Sequence, residues 1–223
     1  MPLKKNKKIL LYFFLFLFIG TLNNRNISNF EFPKINQISV SGLSELENLE
    51  ISKSLEVYKI HNLFFLNKNK IKELIDQNNY VEEFFIYKKY PSSLIVKLRK
   101  TKFLAYISKS DKIYYVGSNG KLIRAKDKSK ELPYIYGDLD INEFFKLRKI
   151  INMTNFKFEE IKNLIFFTSG RWDIETHSGV LIKLPKLKIK KSLNLYVEIS
   201  KKGGVGNEKI IDFRQNNQVI ING

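Results

Sequence analysis

Residues 1–8 read MPLKKNKK, and the next fourteen, Ile9 to Leu22, carry no charge. A run that is apolar on every face has three outlets. It enters a membrane, it is cut off after export, or it is buried as a core helix. Lysines ahead of a phenylalanine-rich stretch make an export or insertion signal, with the charged end held inside the cell. Fourteen residues fall short of the roughly 20 that span a bilayer and fit the apolar region of a signal peptide. However, Gly20-Thr21-Leu22-Asn23-Asn24 offers no small-x-small cleavage site. The uncharged Asn23 and Asn24 can sit at headgroup level and lengthen the span. An uncleaved anchor over 9–26 is therefore expected ahead of a cleaved signal, and a buried helix at the extreme N-terminus comes last. The expected layout is a cytoplasmic tail over 1–8, the transmembrane anchor, and a linker over 27–34.

The chain has 223 residues, 43% of them apolar, enough for one medium or two small cores. It has no cysteine, so disulfides, thiolate metal sites and cysteine nucleophiles are excluded. The net charge is +17; five of these charges lie in residues 1–25, which leaves +12 for residues 26–223. A basic surface can suit nucleic acid or anionic lipid. Here the lysines are spread along the sequence and no reading motif accompanies them, so no nucleic-acid partner is expected.

Ile35, Ile38 and Val40 begin a strand that ends at Ser41-Gly42. Ser44 and Glu47 have capping-box spacing, and a helix is expected over 45–57. Asn62 to Leu66 is an apolar connector. Asn67 can cap a second helix, with Ile71, Leu74 and Ile75 along one side. Val81–Tyr87 and Leu94–Arg99 read as a hairpin around Tyr90-Pro91-Ser92-Ser93. The order is β-α-α-β-β over 35–101. The plain reading of each apolar residue here is core, and of Gly42 and Pro91 turn formation.

Several of these residues carry a resemblance. Ile38, Val40 and Gly42, then Asn62, Leu63, Phe64 and Leu66, then Val81, Ile86, Tyr90, Pro91, Leu94, Val96, Leu98 and Arg99 are similar to the pattern of a POTRA domain. Where that pattern continues with a glutamate and a proline, this chain has Arg99-Lys100-Thr101-Lys102-Phe103-Leu104-Ala105.

Residues 102–223 read as a mainly β domain with flanking helices. Strands are expected over 104–107 and 113–116, with a turn at Ser118-Asn119-Gly120. Leu122-Ile123 follow, then the turn-bounded patch from Leu132 to Gly137. Asp138 or Asp140 can cap a helix bearing Ile141, Phe144, Phe145, Arg148 and Ile151. Strands over 161–167, 172–176 and 180–184 come next, then a helix over 187–199 closed at Gly203-Gly204. Strands over 210–214 and 219–221 end the chain.

A POTRA unit behind one anchor, followed by such a domain, resembles the FtsQ/DivIB family of bacterial cell-division proteins. Gly120, Leu122 and Ile123, the Leu132–Gly137 patch, the Arg171–Leu184 hairpin and the Ile210–Arg214 strand carry the likeness. Gly117 or Ser118 stands where the family has an acid. The overall class is α+β. The resemblance implies a division scaffold of the inner membrane, single-pass, with its bulk periplasmic at the septum. It implies that FtsB/FtsL-like division proteins bind near the final strands and last helix. Val219, Ile220 and Ile221 are the expected contact strand, with Phe213 and Tyr196 nearby, because a terminal strand offers unpaired backbone groups to a partner. The plain reading of those five residues is completion of the core. Two alternative functions stand behind it: a POTRA-containing polypeptide-transport component and, after that, a basic nucleic-acid-binding protein.

No catalytic chemistry can be assembled. His61 and His177 stand in a connector and a turn, Glu159-Glu160 are adjacent acids, and no phosphate-binding glycine motif occurs. Asp173 and Asp212, in expected strands, read as salt-bridge partners. Neither enzyme activity, cofactor, metal nor small-molecule substrate is expected.

Overall fold

The computed structural model describes residues 5–22, 32–125, 131–138, 140–203, 210–215 and 218–222. Helix α1 (Lys5–Leu22) holds the apolar run. Residues 7–20 are exposed on every side of it, Phe16 at 76%. Its charge-free part, Ile9–Leu22, is about 21 Å long at 1.5 Å per residue, against a hydrocarbon core of about 30 Å. No helix among the described residues is long and apolar enough to cross a membrane. The structure thus shows a helix, and the expected span over 9–26 is not shown. Residues 1–4 of the expected tail, 23–26 of the expected span and 27–31 of the expected linker lie outside the described residues.

The N-terminal unit has β1 (Gln37–Ser41), α2 (Glu45–Leu55), α3 (Lys68–Asp76), β2 (Val81–Lys89) and β3 (Ser93–Lys100). The expected helix over 45–57 stops at Leu55 and tightens into a 3-10 turn, Glu56–Ile60. Its start is the expected capping box. Ser44 Oγ accepts from Glu47 N at 3.4 Å, and Glu47 Oε2 accepts from Ser44 N at 2.9 Å. Asn67 caps α3 by accepting from Asn69 N. The sheet order is β1-β3-β2, with β1 parallel to β3 and β2 antiparallel to it. Leu55, Leu63, Ile71, Ile75, Leu94 and Val96 are fully buried between helices and sheet.

The C-terminal unit has β4 (Phe103–Lys109), β5 (Lys112–Gly117), β6 (Leu122–Arg124), β7 (Tyr134–Tyr136), α4 (Ile141–Ile151), β8 (Ile161–Phe166), β9 (Trp172–Thr176), β10 (Leu181–Lys183), α5 (Ile189–Lys201), β11 (Ile210–Asp212) and β12 (Ile220–Asn222). These described strands form a nine-stranded sheet in the order β12-β11-β10-β9-β8-β7-β4-β5-β6. Asp140 is the cap of α4. Gly204, half of the expected stop after α5, lies outside the described residues; Gly203 has φ +73°.

The register aligns one apolar row across the sheet. Ile107, Ile135, Leu164, Ile174, Ile182 and Ile211 are consecutive cross-strand partners. All are buried, and they share a core with Phe144 and Leu147 of α4 and Leu193 and Tyr196 of α5. A row of partnered β positions shares one face of the sheet, so both helices cover this one.

The two units meet through the Ser118–Lys121 turn. Asn119 Nδ2 donates to Asn79 O and Val81 O, each at 2.9 Å, and its Oδ1 accepts from Lys121 N. Ser118 Oγ donates to Glu82 Oε2 at 2.8 Å. Lys121 Nζ donates to Asp76 O and Asn78 O. The expected Asn-Gly turn therefore also joins the units.

Candidate functional site

The apolar row does not stop at β11. Ile211 is partnered by Ile221 on the edge strand β12. Ile211 is fully buried, whereas Ile221 is 39% exposed and Ile220 41%. No strand covers the outer edge of β12 among the described residues. The edge leaves backbone donors and acceptors open, and a partner strand can use them.

Beside this edge lies an open groove of about 680 Å³ between α5, the segment before it, and the chain on either side of the β11–β12 connection. Leu187, Leu195, Phe213 and Val219 give it an apolar floor. Lys186, Lys188 and Lys191 stand on its rim. Leu187 is 75% exposed beside these lysines. The rim lysines come from one basic stretch of the sequence. The run from Lys183 to Lys191, with five lysines in nine residues, was the signal for it.

The five expected contact residues divide into two groups. Ile220 and Ile221 are exposed on the edge strand, and half-buried Val219 packs against the core just before it. Tyr196 and Phe213 are 4% and 6% exposed. Tyr196 meets the Phe156 ring at 5.6 Å between centroids, and burial pushes its phenol pKa up. Phe213 reaches the groove only as part of its floor.

The opposite face of this edge is ionic. Asp212 Oδ1 accepts from Arg214 N at 2.9 Å and Arg214 Nε at 2.8 Å, and Oδ2 also pairs with Arg214 Nη2. These bonds hold the Asp212 carboxyl below the usual carboxylate range. Asp173 is 4% exposed, and burial raises its carboxyl despite Arg171, Arg214 and Lys183 nearby. Its Oδ1 lies 3.5 Å from Arg171 Nε, an ion pair in which neither atom has a hydrogen-bond partner. Both aspartates are salt-bridge partners, as expected.

The two carboxylates act on stability with opposite signs. A lowered native pKa favours folding above the ordinary aspartate value and loses that contribution as pH falls through the native one. A raised native pKa costs stability as pH climbs through it. Asp212→Asn should therefore destabilise the unit at neutral pH, and the penalty should shrink on acidification. Asp173→Asn should gain stability relative to the parent as pH rises from acid to neutral. Thermal melts across that range check both; parallel pH curves for the two variants would contradict them.

His61 and His177 are both exposed. No group of three or more His, Asp or Glu among the described residues could hold a metal.

Residues 34–100 match the family model for the FtsQ-type POTRA domain, and residues 105–214 match that for the C-terminal region of cell division protein FtsQ/DivIB. The chain belongs to the FtsQ/DivIB family of cell-division proteins. It is 22% identical over 200 residues to cell division protein FtsQ of Rickettsia bellii, a match covering 84% of this chain and 72% of that one. It is 27% identical over 107 residues to cell division protein DivIB of Clostridium tetani, covering 48% of this chain and 40% of the relative. The major extracytoplasmic domain of DivIB from Geobacillus stearothermophilus aligns at 13% identity with a TM-score of 0.35, over 45% of this chain and 92% of that one. Membership in this family supports a role in division. In FtsQ/DivIB terms, the edge strand and groove lie at the far end of the C-terminal region, and the model match ends at Arg214, just before β12.

Proposed function

We propose that this chain is a scaffold of the division machinery, held in the inner membrane by α1, with its folded units on the outer side at the septum. It takes FtsB/FtsL-like division proteins on β12 and in the groove against α5. It acts by binding and carries out no reaction. The observation that carries this reading is the apolar row ending at a half-exposed Ile221 on an open strand edge. A partner strand adding to β12 would satisfy its backbone groups and cover Ile220 and Ile221. The lysine-rimmed groove favours acids on the partner segment that fills it, since opposite potentials speed and orient docking.

The anchor reading draws support from the lysines ahead of the apolar run, the absence of a cleavage pattern after it, and the exposure of its apolar side chains, 45–76% among the large ones. A phenylalanine-rich helix that none of the described residues covers is suited to an apolar solvent.

The test is capture of a purified FtsB/FtsL-like pair by this chain and by its Ile220→Asp/Ile221→Asp variant. Both positions are exposed, so the fold should survive, as circular dichroism can verify. Affinity should fall about a hundredfold, a few kcal/mol for two central apolar contacts replaced by charge. Undiminished capture would eliminate the edge strand as the binding surface.

A further inference from the structure

One pole of the POTRA unit carries large apolar side chains that its core does not use. Phe65 is 78% exposed, Ile60 68%, Tyr90 53%, Phe64 49% and Phe32 39%. The aromatic ones form a cluster. Phe32 lies 4.7 Å from Phe64 between ring centroids and meets Phe65 edge-on at 6.0 Å. Phe64 lies 4.8 Å from Tyr90. Three separate segments bring them together: the approach to β1, the connector before α3, and the tip of the β2–β3 hairpin. Those segments are tied to one another. Lys34 bridges Asn62, Ile35 N donates to His61 O at 2.9 Å, and Asn36 N donates to Ser92 O at 3.0 Å. The aromatic pole is thus a built part of the unit.

Its charge has one sign. Residues 32–36, 61–70 and 86–93 include Lys34, Lys68, Lys70, Lys88 and Lys89 and no acid; Glu31 and Glu56 flank them in sequence, and Glu56 is paired with Lys59 at 2.9 Å. Its position is also defined. β1 and β3 both start at this pole, with Gln37 opposite Ser93, whereas the other end of β3 runs into the C-terminal unit. The pole therefore faces away from that unit and toward the side on which the chain arrives from α1. Nine residues, 23–31, separate Leu22 from Phe32, a reach of at most about 34 Å when fully extended.

We propose that this pole docks on the lipid surface of the membrane that holds α1, with its rings at headgroup depth and its lysines on anionic lipid. Aromatic side chains concentrate at that depth, and basic residues near a membrane surface are drawn to anionic headgroups. The short connection to α1 makes the contact intramolecular, so a weak intrinsic affinity is enough to hold it. Docking at this pole leaves the C-terminal unit and its open edge β12 on the membrane-distal side. The inference rests on the anchor reading of α1, and the experiment separates the two.

The chain lacks cysteine, so a single introduced cysteine takes one label cleanly. The full chain is placed in vesicles of phosphatidylethanolamine and phosphatidylglycerol, with a fluorophore on His61→Cys at the pole or on Thr168→Cys as control. Both residues are exposed. Thr168 follows β8, which runs parallel to β7 and β4, at the end of the sheet away from the Ser118–Lys121 turn. Brominated lipids should quench the label at 61 and leave that at 168 bright. Adding Phe64→Ser and Phe65→Ser should remove most of the quenching at 61, with circular dichroism unchanged. Absence of quenching at 61, in protein that stays with the vesicles through an alkaline wash, overturns the docking and leaves the anchor standing. A label at 61 shielded from aqueous iodide but not reached by brominated lipid means that protein or a second copy covers the pole, and also overturns it. Protein that washes off sinks the anchor reading alone. The labelled chain is then added to preformed vesicles, where quenching at 61 supports the docking and its absence overturns it.

Discussion

Replacing Gly42 by alanine should remove about 4 kcal/mol or more from the POTRA unit. Gly42 has φ +117°, a conformation that L-residues rarely adopt. A Cβ built there would lie 1.7 Å from the carbonyl oxygen of Leu98 and 2.7 Å from its carbon. The obstacle is backbone of β3, the central strand of the sheet, so it cannot swing aside as a side chain would. A unit of this size holds only about 3–10 kcal/mol in total, so the substitution takes a large part of it. Gly179→Ala is the internal control. Its φ of +88° is also unfavourable, but nothing lies within 4 Å of the added carbon, and it should cost only about 1 kcal/mol. Urea unfolding followed by far-ultraviolet circular dichroism measures both. Equal costs at the two positions would show that the close approach to Leu98 does not matter.

Phe144→Ala should cost the C-terminal unit about 3–5 kcal/mol. Phe144 is fully buried on the inner side of α4, with ring contacts to Phe145 at 5.7 Å and Phe158 at 6.3 Å. Truncation leaves a cavity over the isoleucine row that neighbours on a rigid sheet cannot close. The single tryptophan, Trp172, is buried in the same core, so its fluorescence reports this unit directly. The midpoint for Trp172 should drop sharply. A loss below 1 kcal/mol would mean that α4 is loosely packed on the sheet. Because Ile221 extends the same row, a weakened core should also blur the edge at β12. Phe144→Ala should therefore weaken partner capture under conditions in which the parent protein binds.

Much of the local structure was legible in the sequence because short-range chemistry governs it. Ser44 and Glu47 stand at the one spacing that satisfies two backbone donors reciprocally, and the box is there. Asn67 and Asp140 cap helices as side chains that can reach a free N–H. Asn119-Gly120 makes the β5–β6 turn, with Gly120 at φ +78°. The misses lie where non-local contacts take over. The helix expected to 57 ends at Leu55, where the chain tightens so that Leu55 and Leu63 both reach the core. Expected strands over 180–184 and 210–214 shorten to Leu181–Lys183 and Ile210–Asp212, the residues that find ladder partners. The site was legible only in part. Ile220 and Ile221 lie on the open edge, as a terminal strand can. Tyr196 stands three residues after Leu193 and seven after Ile189, the spacing of a buried helix face, and with Phe213 it fills the core, as the plain reading had it.

The residue pattern alone pointed to most of the element types, the caps and the turns, since each depends on neighbours within a few positions. Its likeness to FtsQ/DivIB proteins lay in the order of those motifs. Strand order was a different matter. Pairing β1 with β3 and ordering nine strands from β12 to β6 depend on residues up to 56 positions apart, as Gln37 and Ser93 are, whose meeting no local spacing encodes. That long-range order aligned the apolar row, left its last member half-covered at β12, and set the lysine-rich stretch before α5 against Phe213 and Val219 around one groove. The same folding drew three separate segments into the aromatic pole of the POTRA unit.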